Sequence, residues 1–209
     1  MFNSTNFMLF FVASWLLIIT PGPDMLYVIT RGISQGRVAG ILSAMGVTFG
    51  LLIHTLFAAL GLAVLLQTSA IAFSLVKYTG AIYLIYLGVK ALRDKSRFKL
   101  DGQKELTNFR TIFLQGTLSN VLNPKVALFF LAFLPQFVNQ ESGRVPFQMI
   151  GLGLTFAVFG FIFLCTVGYF SGRIGQWVST RLRLADKLRW LTGFVFMGLG
   201  VRLAFVDRR

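Results

Sequence analysis

Acidic residues and cysteine are scarce in this sequence of 209 residues, and each scarcity excludes a class of chemistry. Asp and Glu together number seven, and nearly all lie between the apolar runs, so a transition-metal site would be poorly supplied with ligands. The single cysteine, Cys165, permits no intrachain disulfide and no cysteine-based metal cluster. The sequence also has no phosphate-binding loop of the G-x-x-x-x-G-K-[ST] type, so the chain does not itself hydrolyse ATP. We expect that the protein is not an enzyme and that it binds neither a metal nor a cofactor.

Charged residues are also few, at 13% of the chain against roughly a quarter in soluble domains. Hydrophobic residues make up 56%. One helical crossing of a bilayer core about 30 Å thick needs about 20 apolar residues. The sequence has six such runs, at about residues 7–30, 38–66, 70–92, 111–134, 146–172 and 188–206. We predict an all-α polytopic membrane protein of six transmembrane helices, the first of them retained because no cleavage site follows its apolar run.

The formal net charge is +13, but the basic residues lie in loops and at the ends of the apolar runs, with no basic module of the kinds that bind nucleic acid. If the N-terminus is outside, fourteen basic residues fall on the inner side: two at 31–37, seven at 90–110 and five at 173–189. Five fall on the outer side. Because inner loops are enriched in Lys and Arg, we expect both termini outside and residues 93–110 and 173–187 in the cytoplasm.

The longest loop divides the chain into two halves of three helices each. Repeat one covers about residues 1–92, the cytoplasmic linker about 93–110, and repeat two about 111–209, all within a single transmembrane domain, 1–209. An odd number of helices places the halves in opposite orientations across the membrane. This is the layout of an inverted repeat, which many secondary transporters use.

Helix 1 contains the sequence TPGPD in the middle of its apolar run. Pro21 and Pro23 each remove a backbone donor, and Gly22 between them adds freedom, so the helix should break here. A break that serves only as a packing kink is the alternative. Asp24 argues against it, because an acidic residue near the centre of a membrane helix costs about 2.5 to 3.5 kcal/mol.

Helix 4 contains a second break, Asn123-Pro124-Lys125, at a comparable depth. Aligning the two motifs places Asp24 and Lys125 at equivalent positions, each directly after a proline. Paired breaks in two halves indicate a transporter binding site. Both charges should face the bundle interior. The sequence leaves open whether they pair with each other or with a zwitterionic ligand such as an amino acid.

His54, the only histidine, lies within helix 2. An imidazole can change its charge near neutral pH, so His54 is a candidate proton carrier beside Asp24. The alternative is a structural histidine that is hydrogen-bonded to a neighbouring helix. Gly46 and Gly50 in the same helix have the small-xxx-small spacing that lets helices approach closely.

The sequence resembles the LysE/RhtB family of bacterial amino-acid exporters. The resemblance rests on TPGPD, on KYTGAIYLIYLGVKALR at residues 77–93 and on SNVLNPKVALFFLAFLPQF at residues 119–137. It implies a multi-pass protein of the bacterial inner membrane that exports amino acids from the cytoplasm, driven by the proton motive force. The positions that match the family motifs are Pro21, Gly22, Pro23, Asp24, Asn123, Pro124 and Lys125; His54 matches less specifically.

The substrate expected from the sequence is a neutral amino acid, such as threonine, homoserine or a branched-chain one. A binder of lysine or arginine should have a further carboxylate, and Asp24 is the one acid we can place within the membrane. The alternatives from other classes are a membrane scaffold or assembly component without transport, and an exporter of metal or other small ions. The sequence does not determine whether the chain forms a homo-oligomer.

Overall fold

The computed structural model describes residues 4–62, 70–93, 108–139 and 143–171, together with single positions between 173 and 205. These ranges contain helices and turns and no strand, which confirms the all-α prediction for this part of the chain. The α-helices are α1 (Ser4–Ile19), α2 (Pro23–Gln35), α3 (Arg37–Phe57), α4 (Ala70–Arg93), α5 (Phe109–Val121), α6 (Pro124–Leu128) and α7 (Val145–Tyr169). A π-helical turn extends α3, and π-helical and 3₁₀ turns extend α6, over Ala58–Leu62, Phe129–Phe133 and Leu134–Phe137.

Two helices of the described residues are long and apolar enough to cross a membrane alone, Arg37–Gly61 and Val145–Tyr169. Each has 25 residues, which is about 37 Å at roughly 1.5 Å per residue. Two bent pairs bring the total to four spans if each pair is one span. The third predicted run corresponds to α4. Most of the sixth run, and residues 94–107 of the predicted linker, lie outside the described residues.

Both predicted breaks are present, and they have nearly the same angle. Helices α1 and α2 are bent by 47°, and α5 and the segment from α6 onward are bent by 48°. Pro23 and Pro124 are the first residues of α2 and α6, where a fixed φ suits a helix and the missing N–H has no intrahelical partner anyway. Each proline therefore begins the helix that follows its break.

Helices α2 and α5 run antiparallel. Near the break, Asp24 of α2 binds Asn120 of α5, and one turn further along α2 the Tyr27 hydroxyl donates to the Ile112 carbonyl at 2.8 Å. Residue numbers rise along one helix as they fall along the other. The second half of the first broken helix thus packs against the first half of the second broken helix.

The remaining halves of the two broken helices are antiparallel as well. Phe10 in α1 lies with its ring centroid 5.4 Å from that of Phe137, and Thr20 at the end of α1 contacts Lys125 in α6. Together with the contact between α2 and α5, this makes the two broken helices antiparallel along their whole length. Such an arrangement is what opposite orientation of the two halves requires.

The two unbroken spans, α3 and α7, touch through their backbones. A Cβ atom added at Gly40 would lie 2.6 Å from the carbonyl oxygen of Gly168, so neither position has room for a side chain. On another face of α3, a Cβ at Gly46 would collide with the carbonyl of Phe113 in α5, and one at Gly50 with the side chain of Asn120. The predicted packing role of Gly46 and Gly50 is confirmed.

Helix α4 packs against the described residues of the C-terminal segment. A Cβ at Gly88 would lie 2.7 Å from the Gly193 carbonyl oxygen, and one at Gly200 would lie 2.8 Å from the Ala81 carbonyl oxygen. The order of these contacts makes the two segments antiparallel. Helix α4 is thus paired with the segment in which the sixth run was predicted.

The outward faces of the helices carry large apolar side chains. Exposed examples are Met45 and Phe49 on α3 and Val158 and Ile162 on α7. Water would penalise such a surface, whereas lipid tails solvate it. The exposed surface fits a membrane location.

Candidate functional site

The two broken motifs lie side by side and contribute to one cavity. The first, residues 21–24, leads from the break into α2, and the second, residues 123–125, leads from the break into α6. Pro21, Pro23 and Pro124 shape the backbone and are not among the residues that line the cavity. The lining residues are Leu17, Ile18, Thr20, Gly22, Asp24, Met25, Val47, Leu51, Asn120, Asn123, Lys125, Val126, Phe156, Gly160 and Leu164.

Asp24, in the first turn of α2, accepts hydrogen bonds from three side chains of the other broken helix. The Asn120 and Asn123 amides donate to Oδ2 at 2.8 and 2.9 Å, and the Ser119 hydroxyl donates to Oδ1 at 3.4 Å. Hydrogen bonds to a charged group contribute about 1.5 to 3 kcal/mol each, and the N-terminus of a helix also favours an anion. These interactions offset the cost of holding a carboxylate at this depth.

Lys125, in the first turn of α6, reaches across to the first broken helix. Its ammonium donates to the Thr20 carbonyl oxygen at 2.7 Å. That carbonyl lies at the end of α1, where backbone acceptors have no intrahelical partner and carry partial negative charge. On the way the side chain passes over Gly22, with Nζ 3.5 Å from where a Cβ of that residue would lie.

The two charges are therefore held by reciprocal contacts between the breaks. Asp24 binds Asn123, the residue before the proline in the second motif, and Lys125 lies against Gly22, the residue before the proline in the first. Asn123 also caps α6, because its side-chain oxygen accepts from the Lys125 backbone N–H at 3.0 Å. The equivalence inferred from the sequence alignment of the two motifs is thus present in the contacts.

Asn120 is a site residue that the sequence reasoning did not identify. Its side chain is fully buried, and besides binding Asp24 it occupies the space in which a Cβ of Gly50 would lie. Two features of the sequence could have indicated it. Asn120 lies only three residues before the Asn123-Pro124-Lys125 motif, and an amide within an apolar run is costly in a membrane unless it has a partner.

His54 lies behind this cavity and does not line it. Its Nε2 atom is 3.2 Å from the Asn120 carbonyl oxygen, to which it donates when it carries the proton. Its ring stacks on Phe130, with centroids 5.5 Å apart. The structure therefore shows a histidine bonded to a neighbouring helix, connected to Asp24 through Asn120, and its role in proton transfer stays a prediction.

The polar lining of the cavity comes from the two broken helices, which also supply the apolar residues Leu17, Ile18, Met25 and Val126. Helix α3 contributes Val47 and Leu51, and α7 contributes Phe156, Gly160 and Leu164. The cavity volume is about 40 Å³, which is room for about three water molecules at roughly 10 to 15 Å³ each. The site can recognise a small molecule with charged groups at one end and an apolar group at the other, provided that it widens.

Comparisons with known proteins point to one family. A family model described as LysE type translocator matches residues 15–206. The chain is similar to the uncharacterized membrane protein YrhP of Bacillus subtilis (strain 168), with 33% identity over 196 residues that cover 90% of this chain and 92% of that protein. It is also similar to the leucine efflux proteins of Enterobacter sp. (strain 638), at 29% identity and 97% coverage of each chain, and of Salmonella typhimurium, at 30% identity with 95% and 94% coverage. No solved structure matches the chain.

The hydrogen bond from Asn120 to Asp24 can be tested by a double-mutant cycle on thermal unfolding of the purified protein. Asn120→Leu should destabilise the wild type by about 1.5 to 3 kcal/mol, because a buried carboxylate loses a donor. The same substitution should cost much less in an Asp24→Leu background. Asn108→Ser, which keeps a capping side chain at the exposed start of α5, is the control. An equal cost of Asn120→Leu in both backgrounds would contradict the assignment.

Proposed function

The chain belongs to the LysE-type translocator family, and on that premise we propose that it is a secondary exporter of neutral amino acids, with branched-chain ones such as leucine as the preferred substrates. The observation that carries the proposal is the cavity in which Asp24 and Lys125 form part of the polar lining and α3 and α7 form an apolar lining. Relatives named leucine efflux protein support the choice among neutral amino acids.

An amino acid matches this cavity group by group. Its carboxylate suits Lys125, its ammonium suits Asp24, and an apolar side chain suits the surfaces of α3 and α7. A basic amino acid would need a second acid, and Asp24 is the one acidic residue among those that line the cavity. We propose substrate contacts by Gly22, Asp24, Asn123 and Lys125, with Pro21, Pro23 and Pro124 holding the two breaks open.

The proposed architecture is six transmembrane helices in two inverted repeats, in the inner membrane of a bacterium. Repeat one would cover about 1–92 and repeat two about 111–209, joined by a linker at about 93–110. Three features support it: the antiparallel broken helices with nearly equal bends, the unbroken α3 and α7 that face each other, and the antiparallel packing of α4 on the C-terminal residues. In such folds the substrate site lies at the interface of the repeats.

An exporter of metal ions gains no comparable support. Within the described part of the chain, no group of three or more His, Cys, Asp or Glu side chains could hold a metal ion. The other alternative is a scaffold. A scaffold does not require two charges at paired breaks, and such charges are costly in a membrane. The transport proposal accounts for both charges.

Efflux from cells preloaded with single amino acids tests the substrate class. Cells with the gene should release leucine and other neutral apolar amino acids faster than cells without it, and lysine at the same rate. Asp24→Asn and Lys125→Met should each lower leucine efflux by roughly 10- to 100-fold, the equivalent of one charge-assisted interaction, at equal membrane abundance. Full efflux by both variants would remove the pair from the mechanism.

Proton coupling is the proposed energy source, with Asp24 and His54 as the candidate groups that change protonation. Burial disfavours the charged form of an acid, while a neighbouring cation favours it, so Asp24 is subject to opposing influences. Uphill export of leucine from vesicles oriented as in the cell should require an inward proton gradient and weaken when a protonophore collapses it. Undiminished uphill export with proton gradient and membrane potential both abolished, and no other ion gradient imposed, would rule out this coupling.

A further inference from the structure

Helix α7 contributes one row of three residues to the cavity lining, and the middle residue of the row has no side chain. Phe156, Gly160 and Leu164 are spaced four residues apart, so they lie above one another on the same face of the helix. Phe156 and Leu164 fill their positions with large buried side chains. Gly160, between them, presents only backbone to the cavity.

Gly160 differs from the other buried glycines of α7 in what a side chain would meet. At Gly168 an added Cβ would lie 2.7 Å from backbone of α3, and at Gly153 it would lie 2.5 Å from the branched side chain of Thr55, so helix packing requires glycine at both positions. At Gly160 the contact is the end of a flexible side chain, Leu51 Cδ1, at 3.2 Å. Leu51 can move by the few tenths of an ångström that this requires. No close backbone contact between helices therefore requires glycine at position 160.

The space beside Gly160 is bounded on the opposite side by Leu51 of α3, which also lines the cavity. At this level one leucine side chain spans the distance between the backbone of α7 and the backbone of α3. A carbon added at position 160 must displace Leu51 or enter the cavity. Either change reduces the volume of the apolar part of the cavity. Removing a carbon from Leu51 should increase that volume again.

We infer that Gly160 and Leu51 together set the size of the amino-acid side chain that this protein accepts. The inference rests on the proposed function, since it assigns the substrate's apolar group to the part of the cavity between α3 and α7. In the wild type, the bare backbone at Gly160 leaves space beside Leu51 for the end of the substrate's apolar group once the cavity widens. The residues act on selectivity among substrates, whereas Asp24 and Lys125 bind the groups that all amino acids share.

The test uses purified protein in vesicles loaded with equal amounts of alanine, valine, leucine and phenylalanine, with the release of each measured separately. Gly160→Ala should lower the leucine-to-alanine ratio of specificity constants by on the order of tenfold, the lower end of what one carbon contributes in an apolar pocket. Leu51→Val should raise the phenylalanine-to-leucine ratio of specificity constants. The double variant Gly160→Ala, Leu51→Val should restore the leucine preference, which a variant that merely folds poorly would not do.

Gly151→Ala is the matched control, because Gly151 lies on the same helix with nothing within 4 Å of an added Cβ. It should leave all four rates and their ratios unchanged. The inference alone would be overturned if Gly160→Ala lowered the release rates of all four substrates equally. It would also be overturned if each variant kept the wild-type ratios of specificity constants while the wild type released leucine. A wild type that releases none of the four would overturn the proposed function and this inference with it.

Discussion

The structure depends on reciprocal contacts in which each of the two broken helices binds a charged side chain of the other. Asp24 of the first is held by Ser119, Asn120 and Asn123 of the second, and Lys125 of the second is held by the Thr20 carbonyl of the first. Two lone charges at this depth would cost roughly 5 to 7 kcal/mol in total on an insertion scale. Because each charge finds its partners in the other half, neither break is satisfied without the other. The two broken helices therefore stabilise each other although they are far apart in the sequence.

The unbroken helices α3 and α7 are apolar where they line the cavity and have glycine where they contact each other. In the proposed site the breaks supply the polar recognition, so the two unbroken helices need only pack closely and leave a small apolar space. Gly40 and Gly168 bring their backbones together, and Leu51 fills most of the distance opposite Gly160. In the proposed transport cycle, a zwitterionic substrate that binds Asp24 and Lys125 offsets the loss of the hydrogen bonds that hold them. Differential binding of this kind allows a ligand to shift a conformational equilibrium.

The breaks could be predicted from sequence because proline and charge act locally. Two prolines around a glycine break a helix whatever surrounds them, and an acid in an apolar run must face inward. An amide in an apolar run is a weaker signal of the same kind, and it could have indicated Asn120. Gly160 could not be found in this way, since its position at the cavity arises only when α3 and α7 pack with particular faces together. The position of His54 has the same origin: the sequence places it in the correct helix, but the rotation of α3 directs its ring to Phe130 and the Asn120 carbonyl. The π-helical turn after α6 also has no local signal.

Ligand-induced stabilisation of the purified protein tests most directly whether the two breaks form one site. Leucine at about 100 times its dissociation constant should stabilise the wild type by roughly 2.7 kcal/mol, seen as a higher midpoint of thermal unfolding. If a single zwitterion bridges both charges, Asp24→Asn, Lys125→Met and the double variant should all lose this shift to the same extent, as residues that act as a unit do. Single variants that each keep a substantial part of the shift, with additive losses in the double variant, would contradict a shared site.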